Sequence, residues 1–219
     1  MRSLTKRVLF SKYVFDVSKD VYEPAEDSFL FADNLKVNEG DVVIDVGTGC
    51  GILGIIAAEK AAQVIAVDIN PHAVRCAREN ALLNHVNDKM SCIQGDLFAA
   101  IRNRAKFDLI LFNAPYLPSE DAEDSSWLEC AWSGGPSGRR VIDRFVHDAP
   151  KYLKPEGRLL LLQSTLSNVN DTLKKLEGEN LKTTIAAEKA LPFFETIKLV
   201  RAEFANSAGS PEKRAPKET

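Results

Sequence analysis

The chain is poor in the residues from which metal and nucleophile sites are most often built. It has three histidines, His72, His85 and His147, each isolated, and a structural or exposed role is the expectation for all of them. Its four cysteines, Cys50, Cys76, Cys92 and Cys130, are scattered with no paired C-x-x-C spacing. Neither a metal site nor a disulfide is expected, and buried reduced thiols are predicted instead. No window approaches the roughly 20 apolar residues of a membrane span. The start, Met1-Arg-Ser-Leu-Thr-Lys-Arg, lacks the apolar core of a signal peptide, so no membrane and a cytoplasmic location are predicted. A net charge of −3 excludes a general attraction to nucleic acid. Arg2, Lys6, Arg7, Lys12 and Lys19 do concentrate positive charge before residue 20, and a solvated segment is the reading preferred for them over a binding surface.

What is present is an ordinary globular composition, 45% hydrophobic and 27% charged, in 219 residues, enough for one sizeable core. A single domain over residues 1–205 is expected, with residues 206–219, small, polar and charged, forming a disordered tail. The most informative stretch is Asp41-Val-Val-Ile-Asp-Val-Gly-Thr-Gly-Cys-Gly-Ile-Leu-Gly54. A β-branched run typical of a strand covered on both faces enters a glycine-dense turn, and a helix from near Ile52 would point free N–H groups at a ligand's negative charge. Gly49 to Gly54 also matches the dinucleotide fingerprint, a weak signal by itself. Asp45 favours a different ligand, because a carboxylate at the mouth of the loop repels a pyrophosphate but pairs with the ammonium of S-adenosylmethionine. Asp68 closes the next apolar run, where an acid accepts hydrogen bonds from ribose hydroxyls under either reading.

Along the chain, residues 8–17 read as an extended segment or hairpin arm. Pro24 opens a helix from about Ala25 to Leu35, whose acids Glu26 and Asp27 suit the helix dipole. The alternative, with Tyr22, Glu23, Glu26 and Ser28 forming a lid over a cofactor, stays open. A helix follows over Ile52–Lys60, a strand over Gln63–Asp68, a helix from Asn70-Pro71 to about Leu83, and a strand over Met90–Gln94. Asp96, beyond that strand, either reads the exocyclic amine of an adenine or caps a helix. Phe107–Phe112 is the next strand and runs into Asn113-Ala-Pro-Tyr116. Leu117 to Ser137 is a loop too long for mere connection. A helix over Gly138–Ala149, a turn at Lys154–Gly157, a strand over Arg158–Gln163, a helix over Val169–Leu176 and strands over Leu181–Ala187 and Glu195–Phe204 complete the pattern. It predicts an α/β fold, a doubly wound, mostly parallel seven-stranded sheet with an antiparallel last strand. Asp45, Gly47, Asp68, Asp96 and Asn113 then share the crevice at the strand carboxyl ends.

In combination these segments resemble the Rossmann-like class I S-adenosylmethionine-dependent methyltransferases, and within them the protein-glutamine methyltransferases of release factors, HemK2/Mtq2 branch. Val21-Tyr-Glu-Pro-Ala-Glu-Asp-Ser28 resembles the branch's N-terminal signature, Asp45–Gly51 the cofactor loop, and Asp68-Ile-Asn-Pro71 the ribose-binding turn. Asn113-Ala-Pro-Tyr116 resembles the Asn-Pro-Pro-Tyr catalytic motif, and Ala131–Phe145 the stretch that follows it. The resemblance covers about residues 20–200. It implies that Ser28, Asp45, Gly47, Thr48, Gly49, Gly51, Asp68, Ile69, Asp96, Leu97 and Asn113 bind S-adenosylmethionine, with residues 1–36 lying over the cofactor. It makes Asn113, Ala114, Pro115 and Tyr116 the catalytic motif.

The implied reaction is N5-methylation of the glutamine in the Gly-Gly-Gln motif of a class 1 release factor. An amide nitrogen is a weak nucleophile that must be held in line with the methyl group. The Asn113 side-chain oxygen and the Ala114 carbonyl would accept its two hydrogens, and Tyr116 would pack on the amide plane. Ala114 departs from the motif proline, although the group required there belongs to the backbone. Two other functions remain open at this stage: N6-adenine methylation of DNA or RNA, whose enzymes share the four-residue motif, and a non-catalytic cofactor-binding scaffold. The branch also implies a small zinc-binding activator subunit, for which Met90–Gln94 offers a strand edge.

Overall fold

A computed structural model describes residues 5–120 and 126–205. The tail expected to be disordered, 206–219, lies outside them, as do Arg2 and part of the long loop. The chain opens with a hairpin, β1 (Thr5–Phe10) and β2 (Tyr13–Ser18), which forms a small antiparallel sheet of its own. The basic residues read as solvated are paired there: Lys6 with Glu23, Arg7 with Asp16 and Lys12 with Glu59.

After α1 (Glu26–Asp33) come β3 (Val42–Val46), α2 (Ile52–Ala57), β4 (Gln63–Asp68), α3 (Pro71–Leu83), β5 (Met90–Gln94) and β6 (Phe107–Asn113). Then follow α4 (Trp127–Cys130), α5 (Arg140–Tyr152), β7 (Leu153–Ser164), α6 (Val169–Gly178), β8 (Leu181–Ala190) and β9 (Thr196–Phe204). The seven-stranded sheet has the order β5-β4-β3-β6-β7-β9-β8. Its members from β5 to β7 run parallel, and β9 is antiparallel to both β7 and β8. The expected sheet and its antiparallel last strand are both present. Several element ends shift by a few residues, and two differences are larger. β7 extends back through the expected turn at Lys154–Gly157, with a register shift opposite Phe107 and Leu109. The long loop contains the one-turn helix α4, whose start is a capping box between Ser126 and Glu129.

Side-chain alternation splits the central strands between two cores. On β6, Leu109 and Leu111 face the layer of α1, α2, α3 and the hairpin, while Phe107, Ile110 and Phe112 face the layer of α5 and α6. The cysteine expectation needs correction: Cys50 and Cys76 are buried, but Cys92 is half-buried and Cys130 is exposed. Cys130 sits on α4, a helix with no buried residue. Among the described residues no helix is long and apolar enough to cross a membrane.

The order of strands reverses between β3 and β6, since the chain first winds outward through β4 and β5 and then returns. A crevice opens there beyond the carboxyl ends, as the topology requires.

Candidate active site

The floor of the crevice is the glycine loop after β3. Gly47 has φ +64°, and a Cβ on it would press to 3.2 Å from the Phe112 ring, so the loop is seated directly on the strand that carries Asn113. Two carboxylates shape the loop. Asp68 accepts from the Gly49 N–H at 2.9 Å through one oxygen and from the Asn70 N–H at 2.9 Å through the other. Asp68 lines the crevice and keeps unshared lone pairs for ribose hydroxyls. Burial raises its pKa, and the amides of Gly49, Asn70 and Ile69 oppose that rise.

Asp45 behaves otherwise than expected. It is 1% exposed and does not line the crevice. Its Oδ2 accepts from the Thr48 hydroxyl at 2.6 Å and the Gly54 N–H at 2.9 Å, behind the loop. The strand alternation explains this. Ile44 and Val46 fill one core, so Asp45 points with Val43 to the other face, beneath α2. One of the first-turn amides of α2, that of Gly54, is therefore spent on Asp45 and not left for a ligand. Gly51 is also a packing residue here, since a Cβ on it would stand 3.2 Å from Ala77.

Burial pushes Asp45 up to about 7, opposed by its bonds from Thr48 and Gly54. The folded protein therefore holds a proton that the unfolded chain, with an ordinary aspartate near 3.9, has already released. Stability contributed at low pH is lost as pH rises through the window from about 4 to 7, with a slope of at most ~1.4 kcal/mol per unit. Asp45→Asn keeps an oxygen for both bonds and removes the titration. Thermal melting from pH 5 to 7.5 should show a flatter profile for the variant, and parallel profiles would refute the assignment.

The wall opposite the loop is built by the N-terminal extension. Asp27, at the start of α1, is 6% exposed. One of its oxygens accepts from the Ser28 N–H at 2.6 Å, the Ser28 hydroxyl at 3.2 Å and the Tyr22 hydroxyl at 3.3 Å. The other accepts from Asn113 Nδ2 at 3.1 Å. Asn113 Nδ2 also lies 3.3 Å from the Ser28 hydroxyl. A carboxylate only accepts, so this contact fixes which way the Asn113 amide faces. Its oxygen, Asn113 Oδ1, is then left buried with no hydrogen-bond partner among the described residues. Of the expected lid residues, Tyr22 and Ser28 line the crevice, whereas Glu23 is turned outward to Lys6 and Glu26 is exposed.

Beyond Asn113, the Ala114 N–H donates to the Leu162 carbonyl at 3.2 Å, a bond that a proline could not make. Pro115 and Tyr116 follow along the same wall. Burial raises the Tyr116 phenol well above its ordinary range, with the charge of Asp27 adding to it. The long loop folds back onto this motif through Leu117 N–H to the Trp132 carbonyl at 3.0 Å and Gly134 N–H to the Leu117 carbonyl at 2.9 Å. It brings Trp127 and Trp132 to the crevice, which the sequence marked only by the loop's length. Asp96 and Leu97 line the far end, and Asp96 is paired with Arg144 of α5 at 2.6 Å. Gly47, Thr48, Gly49, Ile69 and Ala114 line it as well.

The crevice encloses about 630 Å³, in the range of small-molecule sites. Asp68 at the end of β4, Asp96 beyond β5 and an open glycine loop match the polar edges of a nucleoside carrying an amino acid. The orphaned Asn113 oxygen supplies an acceptor for an N–H beside it.

Comparisons with known proteins agree with this geometry. The sequence profile described as ribosomal protein L11 methyltransferase (PrmA) matches residues 28–114. The putative protein N5-glutamine methyltransferase MJ0928 of Methanocaldococcus jannaschii is 45% identical over 180 residues, 81% of this chain and 89% of the relative. The methyltransferase HEMK2 of Homo sapiens is 34% identical over 78% of this chain and 84% of its own. Among solved structures, the E. cuniculi Mtq2–Trm112 complex, responsible for methylation of the termination factor eRF1, aligns with a TM-score of 0.66 at 27% identity. It covers 85% of this chain and 99% of the matched one.

Proposed function

Since this chain belongs to the protein N5-glutamine methyltransferase family, enzymes that depend on S-adenosylmethionine, we propose that its acceptor is the glutamine of the Gly-Gly-Gln motif in a class 1 release factor. The observation that carries the reading is the buried, unpartnered Asn113 Oδ1 with the amide orientation locked by Asp27. A buried acceptor without a donor costs about 1–3 kcal/mol, which an incoming N–H recovers.

S-adenosylmethionine supplies an electrophilic methyl group on a sulfonium. Gly47, Thr48, Gly49, Asp68, Ile69, Asp96, Leu97 and Ser28 are the residues that would hold it, and Asp45 and Gly51 support them from behind. Asn113 Oδ1 and the Ala114 carbonyl accept the two hydrogens of the glutamine amide. They fix the nitrogen in line and favour the positive charge that develops on it. Tyr116 presents its ring to the amide plane. No side chain has to remove a proton before attack, because the nitrogen becomes strongly acidic only once the new N–C bond forms. Ala114 suffices in place of the motif proline, since the required group is its carbonyl and the Leu162 bond holds the backbone there.

The E. cuniculi relative was solved with Trm112. A small zinc-binding activator would find a strand edge here on β5, which among the described residues pairs only with β4. α3, which packs on β5, leaves Leu82 and Leu83 exposed beside that edge.

The test is incubation with methyl-labelled cofactor and either a class 1 release factor or nucleic acid. Label is expected in the factor and lost when its Gly-Gly-Gln glutamine is replaced. Label in nucleic acid alone would overturn the assignment.

A further inference from the structure

The most exposed apolar side chains of the described residues lie together at the tip of the β8–β9 hairpin. Phe193 is 95% exposed and Phe194 104%. Both residues have positive φ, 61° and 63°, a conformation that costs a non-glycine residue of the order of 1 kcal/mol or more. Among the described residues nothing covers either ring, the signature of a surface that meets a partner.

Its place in the fold indicates which partner that is. β9 runs antiparallel to β7, with Ile197 opposite Ser164, so the tip stands at the same rim as the carboxyl ends of the parallel strands. The Thr196 N–H donates to Thr165 Oγ1 at 3.0 Å, fastening the hairpin base to the turn after β7. Leu191 packs on the same core cluster as Tyr116, and the charge of Glu195 acts on the Tyr116 phenol. The tip is thus continuous with the acceptor wall. The crevice opens beyond these same carboxyl ends, so the polypeptide bearing the acceptor glutamine must lie across this rim. α4, which lines the crevice, exposes Trp127 (40%) and Leu128 (39%).

We propose that Phe193 and Phe194 are a docking element for the folded body of the protein substrate, seated outside the catalytic crevice and engaging apolar surface beside the acceptor loop. This rests on the protein-glutamine reading above. Burying exposed aromatic rings is the usual source of binding hot spots, so the contact should act on affinity and leave the chemical step alone.

The experiment compares wild type with the double variant Phe193→Asn, Phe194→Asn, asparagine being tolerated at positive φ. Each is assayed on an intact class 1 release factor and on a short peptide carrying Gly-Gly-Gln, with melting temperature and cofactor affinity measured alongside. KM for the intact factor is expected to rise about tenfold or more. The kcat, the peptide kinetics, cofactor affinity and melting temperature should stay unchanged. Unchanged KM for the factor, or an equal loss on factor and peptide, overturns the proposal while leaving the glutamine assignment intact. So does a wild-type dimer that the double variant dissociates, or vesicle binding that it abolishes. Absence of label in either substrate with wild type removes both readings together.

Discussion

Replacing Asn113 by alanine is expected to lower kcat by about 10²–10³-fold, the range seen when one preorganised partner of a transition-state charge is removed. The effect should fall mainly on kcat, because the neutral glutamine amide interacts only modestly with Asn113 Oδ1 and the interaction grows as the nitrogen becomes positive. The variant also deprives buried Asp27 of one of its donors, but it removes the orphaned Asn113 oxygen too, so two opposing terms of about 1–3 kcal/mol leave little net change in stability. Asp27→Asn separates orientation from contact. It keeps the shape of the wall, yet its amide no longer dictates which way Asn113 faces, and Asn113 can then turn Nδ2 toward the substrate. A kcat about tenfold below wild type with little change in KM is expected, measured by single-turnover methyl transfer. Wild-type kcat in Asn113→Ala would remove the mechanism.

The second large effect is expected at Gly138, a position remote from the motif in sequence. Its φ is +70°, and a Cβ there would overlap the main-chain oxygen of Tyr116, with Ser167 Cβ at 3.2 Å and Pro118 N at 3.3 Å. None of these three is a flexible side-chain end, so Gly138→Ala must displace backbone. Left-handed strain and the overlap together should cost about 3–5 kcal/mol, read as a fall in denaturation midpoint. Because the displaced carbonyl belongs to Tyr116, activity at a temperature where the variant remains folded should also fall, about tenfold or more. A stable variant with unaltered kcat would show that the loop after the motif does not set the position of Tyr116.

The parts of this architecture readable from the sequence are those decided locally. The run Val42–Val46 and the glycines after it announce a covered strand and its loop. Asp68, Asp96 and Asn113 could be placed because residues at strand carboxyl ends converge at the reversal of strand order. The errors arose where a side chain had two faces to choose from. Asp45 was assigned to the ligand on charge complementarity, but alternation along β3 turns it inward. Asp27 was credited to the dipole of α1, a short-range explanation that hid its partner 86 positions away in Asn113. Arg144 and Asp96, 48 positions apart, likewise meet only once α5 is laid on the sheet. The one-turn α4 is too short to show a helical period, and no local signal sets Phe193 and Phe194, just ahead of the strand expected over Glu195–Phe204, apart from core residues.

The N-terminal hairpin has only two strands, one short of what such a sheet needs for independent stability. Asn84 Oδ1 accepts from the Val14 N–H at 3.0 Å while its Nδ2 donates to the Val14 carbonyl at 2.7 Å. Asn80 repeats the pattern on Asp16, accepting at 2.9 Å and donating at 3.1 Å. One turn of α3 rises about 5.4 Å, close to the roughly 6.8 Å of two strand residues, so two side-chain amides on the helix imitate the missing neighbour strand. Asn80 also donates to the Cys50 carbonyl at 2.9 Å, in the glycine loop. Hairpin and loop are therefore indexed to a common ruler. A slip of one residue would turn Tyr13, Phe15 and Val17 out of the core and break both amide pairs. The extension thus reaches the crevice in a single register, and Tyr22 and Asp27 stand in place before any ligand arrives.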